Sequence, residues 1–125
     1  PVIVDNGSET IKVGYAGNDA PSVVCPAVVG RHAQQPGNLY IGDEALSKRG
    51  ILALSSPIES GIVTQWNEMQ TLWHWMFEMD LRVSTNNTPV MLTETSFNTK
   101  TNREKMAQIM FDTFNVPYLY IVNQA

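Results

Sequence analysis

The chain has 125 residues and a formal net charge of −4, which is enough for one domain with a core of its own. Its apolar content of 43% is ordinary for a globular protein and argues against disorder. The mild acidity does not indicate a basic surface for direct contact with nucleic acid or with an anionic membrane. No apolar run approaches the roughly 20 residues of a membrane-spanning helix, and we expect no signal peptide. The single cysteine, Cys25, excludes an internal disulfide and favours a reducing compartment.

The first thirty residues predict an antiparallel meander of three short strands. Apolar and β-branched residues fill 1–5, 10–16 and 23–29. Turn-forming residues separate these strands, first as Asp5-Asn6-Gly7-Ser8 and then as Gly17-Asn18-Asp19. Pro26 interrupts the third strand and predicts a bulge or an edge there.

The middle of the chain, residues 30–64, has a different character. Residues 30–38 are polar and rich in turn formers. A short strand over 39–41, one or two helical turns over 43–49 and another short strand over 51–54 are expected to follow, with Gly50 ending the helical turns. We interpret this stretch as a small insertion on the main sheet.

Two amphipathic helices and two strands are predicted for the remainder. An apolar stripe at three- and four-residue spacing predicts a helix over 66–81, formed by Trp66, Met69, Leu72, Trp73, Met76 and Phe77. Thr64 is its predicted N-cap, and 84–88 is a polar loop. A buried strand is expected over 90–92. The pattern Thr101-x-x-Glu104 predicts a capping box at the start of the second helix, which Val116-Pro117 ends before a last strand over 118–122.

The resulting order is β-β-β, insertion, α-β-α-β. A meander followed by right-handed crossovers gives a mixed sheet with helices packed on it. The expected fold class is therefore α/β (α+β) with a ribonuclease-H-like layout. Because the last strand has no helix after it, we expect something outside these residues to cover one face of the sheet.

Several segments, in order along the chain, resemble the actin family. They are Asp5-Asn6-Gly7-Ser8, Val13-Gly14-Tyr15-Ala16-Gly17-Asn18-Asp19-Ala20-Pro21, Ile41-Gly42-Asp43-Glu44-Ala45, Ser47-Lys48-Arg49-Gly50-Ile51-Leu52, Pro57-Ile58-Glu59, Asn102-Arg103-Glu104-Lys105-Met106, Gln108-Ile109-Met110-Phe111 and Phe114-Asn115-Val116-Pro117. The resemblance covers essentially the whole chain. It implies the N-terminal portion of the actin/Hsp70 ATPase fold, with residues 1–29 and 65–125 forming a subdomain-1-like core and 30–64 a subdomain-2-like insertion.

The resemblance also implies a role for individual residues. Asp5 is similar to the carboxylate that holds a nucleotide-bound Mg²⁺ or Ca²⁺ through water. The phosphate-binding set is Asn6, Gly7, Ser8, Glu9, Thr10 and Lys12. Gln124 is similar to the glutamine that positions the attacking water. Judged without the resemblance, Lys12 is a solvent-facing strand residue and Gln124 a surface amide.

The implied function is that of an actin-like cytoskeletal subunit that contributes half of an ATP- or ADP-binding cleft. The 125 residues alone are not expected to hydrolyse ATP, since the second lobe of the cleft is missing. Expected partners are the remainder of an actin fold, other actin-like subunits, and actin-binding, motor or scaffold proteins. The expected location is the cytoplasm and cytoskeleton, with the axoneme or nucleus as alternatives. A non-enzymatic scaffold within a dynein, ciliary or chromatin complex is the second hypothesis.

Four departures from the family pattern count against ordinary actin behaviour, and two of them, Glu9 and a shortened loop, motivate the second hypothesis together with Trp75. Glu9 stands where the family has glycine, and at about 4 Å its charge would repel a phosphate by roughly 4 kcal/mol at an effective dielectric near 20. The segment between Gly30 and Tyr40 is several residues shorter than in conventional actin, which weakens the expectation of filament formation. Ser60 replaces the histidine that is normally methylated. The sequence given also stops before the second phosphate loop.

Trp75 lies off the apolar stripe beside His74 and is a candidate partner contact. A small two-metal enzyme that uses Asp5 and Glu94 is a weaker third hypothesis.

Overall fold

The computed structural model describes residues 1–35 and 37–123. The strands are β1 (Val2–Asn6), β2 (Thr10–Tyr15), β3 (Val23–Pro26), β4 (Val29–His32), β5 (Leu39–Ile41), β6 (Leu52–Ser55), β7 (Ile58–Glu59), β8 (Ile62–Val63), β9 (Val90–Glu94) and β10 (Leu119–Asn123). The α-helices are α1 (Asp43–Ser47), α2 (Trp66–His74) and α3 (Lys100–Asp112). None of the helices among these residues is long and apolar enough to cross a membrane.

The main sheet is mixed and has the strand order β10-β9-β1-β2-β3. β1, β2 and β3 form the antiparallel meander, while β9 pairs with β1 and β10 with β9 in parallel. The predicted mixed sheet with a meander followed by α-β-α-β is thus confirmed. The parallel register matters for the site, because Val4 pairs with Leu92 and places the residues that follow them side by side.

A second, three-stranded sheet has the order β5-β4-β6, and β7 and β8 form a separate hairpin. The strand predicted over 23–29 extends too far, because the chain leaves the main sheet after Pro26, but the edge predicted at Pro26 is confirmed, since β3 is an edge strand of the main sheet. The N–H of Val28 donates to the carbonyl of Pro26 at 2.8 Å, which turns the chain into β4 of the second sheet. The division of the chain into 1–29 with 65–125 and 30–64 stays a prediction.

The helices differ from expectation at their ends. Gln65, not Thr64, is the N-cap of α2, and no side chain caps it. After His74 the helix widens into a π-helix over Trp75–Asp80. α3 begins two residues earlier than the predicted capping box, because the hydroxyl of Thr99 accepts the N–H of Asn102 at 3.1 Å. The predicted polar loop contains a short 3₁₀-helix over Thr85–Asn87.

The core lies on one face of the main sheet, where both α2 and α3 pack. Fully buried residues from the strands, such as Val4 and Leu92, meet Trp73 and Phe77 from the helical segment and Met110 from α3. The opposite face carries residues that alternate with them along the same strands. It is open in the described part of the chain, with Val24 at 55% and Tyr120 at 66% exposure.

Candidate functional site

The open face of the main sheet carries a carboxylate and an ammonium group side by side. Asp5 on β1 and Lys12 on β2 are direct cross-strand partners, and both are exposed. They line a cavity of about 240 Å³ whose other wall includes the turn residues 18–21. A meander therefore brings together an anion and a cation that are seven positions apart in the sequence.

Asp5 is held by a neighbouring strand. The hydroxyl of Thr93, on β9, lies 2.8 Å from Oδ1 of Asp5. The main-chain N–H of Asn6 donates to the same hydroxyl at 3.0 Å. The end of β1 is thereby fastened to β9 at the position where Asp5 stands.

Asn6 belongs to the predicted phosphate-binding set, but its side chain lies in the core. The residue is only 3% exposed. Its Oδ1 accepts a hydrogen bond of 3.2 Å from the indole Nε1 of Trp73, which is fully buried. The side chain of Asn6 thus stabilises the end of β1 from the core face of the sheet. A ligand on the open face would contact only the main chain of Asn6.

The β1–β2 turn, Gly7 to Glu9, forms a tight loop that has no room for a side chain at its first residue. A Cβ atom on Gly7 would lie 2.5 Å from the carbonyl oxygen of Thr10, far inside van der Waals contact. Among residues 1–35 and 37–123, no group accepts a hydrogen bond from the main-chain N–H of Ser8 or of Glu9. Closely spaced N–H groups of this kind are what an anion binds in a glycine-containing turn.

Ser8 joins this loop to the β7–β8 hairpin. Its hydroxyl oxygen accepts the N–H of Gly61 at 2.6 Å. Ser60 and Gly61 form the turn of the hairpin and both have positive φ, 52° and 80°. The Ser60 position, where the family has histidine, is thus one residue from the main-chain donor that contacts the loop.

Glu9 points its carboxylate at solvent, and its main chain is fixed. The residue is exposed, and its carbonyl accepts the N–H of Ala27 at 2.9 Å. Exposure to water reduces the repulsion that Glu9 would exert on a bound phosphate. Thr10 follows as the half-buried first residue of β2.

This donor set fits a hydrated divalent cation with an anionic ligand better than it fits a bare metal cage. No three His, Cys, Asp or Glu side chains converge on a common point in the described residues. Mg²⁺ in proteins commonly keeps several waters and uses one or two carboxylates together with substrate phosphates. Asp5 supplies one such carboxylate, and the N–H groups of the loop and Lys12 supply positive potential beside it.

The family model described as Actin matches residues 1–125 of the sequence. The chain belongs to the actin family. The ribonuclease-H-like half-fold expected from the resemblance is therefore the fold of this actin-family chain, and the loop after β1 is the segment where the family motif Asp5-Asn6-Gly7-Ser8 lies.

Glu94, the other carboxylate considered from the sequence, does not join Asp5 and Lys12. Gln124, the predicted water-positioning residue, lies outside the described residues. Glu94 is bound by Arg103, whose Nε lies 2.9 Å and 3.0 Å from its two carboxylate oxygens. Burial acts to raise the pKa of Glu94, but hydrogen bonds from Arg103 and Asn98 and the charge of Arg103 outweigh it and lower the pKa. Such an ion pair is a structural use of Glu94.

Two other side chains singled out in the sequence are occupied with packing. Trp75 is half-buried and packs against the core, and its use as a partner contact stays a prediction. Cys25 is 2% exposed, and burial, with smaller contributions from Asp43 and Asp80, raises its pKa to about 11. Its thiol is unsuited to nucleophilic chemistry at neutral pH.

Sequence reasoning missed Thr93 and Gly61. Thr93 breaks an otherwise apolar strand, Val90-Met91-Leu92, just before Glu94. A polar β-branched residue at the carboxyl end of a predicted parallel strand is the available signal, since ligand sites lie at these ends. Gly61 carried no comparable signal, because its contact with Ser8 spans 53 residues.

Proposed function

We propose that this actin-family chain forms half of a cleft for ATP or ADP complexed with Mg²⁺ or Ca²⁺, as part of an actin-like cytoskeletal subunit. The observation that carries the proposal is the β1–β2 unit, which places Asp5 and Lys12 as cross-strand partners beside a loop whose N–H groups at Ser8 and Glu9 donate to no residue among 1–35 and 37–123. Hydrated metal ions and phosphates are the ligands that such groups recognise.

In this proposal each residue has a distinct task. Asp5 holds the metal ion through water, and Lys12 attracts the phosphates as a point charge. The N–H groups of Ser8 and Glu9 donate to phosphate oxygens, and Gly7 allows the close approach of the main chain. When bound, the metal nucleotide supplies the phosphoryl group, and we propose Gln124 as the residue that positions water. Cytoplasmic and cytoskeletal location, and assembly with other actin-like subunits, are part of the same proposal.

Nucleotide binding is tested directly on the full-length protein. We expect [α-³²P]ATP with Mg²⁺ to bind stoichiometrically, and Asp5→Asn or Lys12→Ala to weaken binding about 10- to 100-fold, the value of one charge-assisted hydrogen bond. Arg49→Ala removes an exposed cation elsewhere and serves as the matched control. A wild-type protein that neither carries nucleotide after purification nor binds the labelled ATP would contradict the proposal.

A non-enzymatic scaffold is the second candidate, and Glu9 is the observation that favours it. A glutamate in the loop places a negative charge next to the proposed phosphates. If the first proposal holds, Glu9→Gly should tighten ATP binding by a factor between about 2 and 10, because water screens the exposed carboxylate. If the scaffold proposal holds, neither wild type nor Glu9→Gly binds ATP, and the protein is recovered only within a larger assembly.

A further inference from the structure

The side chain of Thr93 hydrogen-bonds the carboxylate of Asp5 from a neighbouring strand. It stands on β9, one residue beyond the Val4–Leu92 pair of the parallel ladder, and is therefore level with Asp5. The residue is half-buried. No part of the function proposed above uses it.

The direction of its hydrogen bonds follows from the chemistry of the groups. A main-chain N–H can only donate, so the oxygen of Thr93 must accept from Asn6 at 3.0 Å. A hydroxyl has a single hydrogen, and the carboxylate of Asp5 at 2.8 Å is the acceptor for it. The bond from Thr93 to Asp5 is consequently oriented and charge-assisted, the stronger class of hydrogen bond.

The other end of this chain of hydrogen bonds is anchored in the core. The carboxamide of Asn6 accepts from the indole of Trp73, a side chain with no exposed surface. The main chain at Asn6 therefore cannot shift without breaking a buried hydrogen bond, which costs about 1–3 kcal/mol per unsatisfied group. Thr93 is in turn held by the main chain of Asn6, and so it presents its hydroxyl to Asp5 from a fixed point.

We infer that Thr93 is a positioning residue for the divalent cation. The inference rests on the proposed role of Asp5. It adds a second residue that sets the affinity of the site for the divalent cation. Thr93 holds one oxygen of the carboxylate and so fixes the plane in which Asp5 meets the water shell of the ion. A ligand oriented in advance loses less conformational entropy on binding, and outer partners of metal ligands typically contribute 10- to 100-fold in metal affinity.

The experiment uses the full-length protein and Ca²⁺ as the probe. The dissociation constant of Ca²⁺ is measured by isothermal titration at saturating ATP for wild type, Thr93→Val and Thr93→Ser. Thr93→Val keeps the shape and removes the hydroxyl, so we expect Ca²⁺ to bind about 10- to 100-fold more weakly. Thr93→Ser keeps the hydroxyl and should remain within about threefold of wild type.

A second pair of variants, made in the Asp5→Asn protein, separates loss of positioning from general disruption of the fold. In Asp5→Asn the carboxylate is gone, so adding Thr93→Val should change the remaining Ca²⁺ affinity by less than about twofold. Melting temperatures without metal show whether each variant is folded, and Thr93→Ala replaces Thr93→Val if the second methyl group prevents folding. Wild-type Ca²⁺ affinity in a folded Thr93→Val or Thr93→Ala protein would overturn the inference, as would equal losses in Thr93→Val and Thr93→Ser.

Failure of this inference differs from failure of the proposed function. If the wild type binds neither Ca²⁺ nor ATP, the metal nucleotide proposal fails and takes the role of Thr93 with it. If the wild type binds both and Asp5→Asn binds Ca²⁺ poorly while Thr93→Val does not, the site stands and only the positioning role is wrong.

Discussion

Gly7 illustrates how a single residue controls the shape of the loop. Its φ is not positive, so its need for glycine comes from space and not from backbone conformation. An added Cβ would approach the carbonyl oxygen of Thr10 to 2.5 Å. The obstacle is main chain of the adjoining strand β2, which cannot rotate away as a flexible side chain would.

We expect Gly7→Ala to lower the free energy of unfolding by about 1–3 kcal/mol, the usual cost of forcing atoms into a filled space. Gly50→Ala is the matched control, since no heavy atom lies within 4 Å of a Cβ built there, and it should change the free energy by no more than about 0.5 kcal/mol. Urea unfolding followed by tryptophan fluorescence measures both. Equal stability of the two variants would show that the loop adjusts freely.

The residues of the candidate site show how far the sequence predicts that site. The roles of Asp5 and Lys12 are implied by the resemblance to the actin family, while the turn signal between two strand patterns predicts the hairpin that makes them cross-strand partners. The roles of Thr93 and Trp73 were not predicted, because their contacts with Asp5 and Asn6 span 88 and 67 positions. Local periodicity carries no information on such contacts, and only the assembled sheet and core produce them.

At the scale of elements, an ion pair connects the second sheet to α2. Nη2 of Arg31, on β4, lies 3.0 Å from Oε1 of Glu68 in the first turn of α2. The side chain of Glu68 is 18% exposed and that of Arg31 46%, so water screens the pair only in part. Since the second sheet is joined to the rest of the chain only through 27–28 and 56–57, a side-chain contact from β4 to α2 limits how that sheet moves.

We predict that breaking this pair loosens the second sheet and leaves the main sheet unchanged. A double-mutant cycle of Arg31→Gln and Glu68→Gln isolates the pair from the other interactions of each residue. The expected coupling of about 0.2–1 kcal/mol corresponds to amide hydrogen exchange in β4–β6 up to about fivefold faster. Lys100→Gln with Glu104→Gln is the control, because that i,i+4 pair is exposed and lies in α3. Exchange that accelerates equally in both sheets would refute a local role.

Helices and strands were predicted correctly where a single hydrophobic pattern dominated the segment. The first or last residue of an element was predicted wrongly where two sequence signals competed. The Thr101-x-x-Glu104 pattern predicted the start of α3, but Thr99 caps the N–H of Asn102 and starts the helix earlier. Both threonines satisfy the same chemical preference for an N-cap, and the backbone that follows β9 decides between them. The π-helix after His74 was not predicted either, because the apolar residues of this segment still follow the three- and four-residue spacing of an α-helix.

At the scale of the whole molecule, the contact between Glu94 and Arg103 links the end of the main sheet to α3. Nη2 of Arg103 lies 2.9 Å from Oε1 of Glu94, whose side chain is only 10% exposed. Asn98 donates a further hydrogen bond of 2.8 Å to Oε2. Protonation of Glu94 would weaken all of these interactions at once and would leave β9 and α3 less firmly connected.

This contact predicts how stability depends on pH. The pKa of Glu94 is lowered in the folded protein, so ionised Glu94 favours folding above its unfolded pKa of about 4.3. That contribution is lost as the pH falls through the folded pKa. We therefore expect Glu94→Gln to be less stable than wild type at pH 7, and the difference to shrink steadily below about pH 4.

Urea unfolding at a series of pH values from neutral to acid measures this difference. Glu104→Gln is the control, because its ion pair with Lys100 is long, at 3.9 Å, and both side chains are largely exposed; little change is expected at any pH. A stability gap between wild type and Glu94→Gln that stays constant on acidification would mean that the fit of the side chain, and not its charge, stabilises the junction. A gap that closes would show that the charge of Glu94, at the point where β9 meets α3, contributes to the acid sensitivity of the fold.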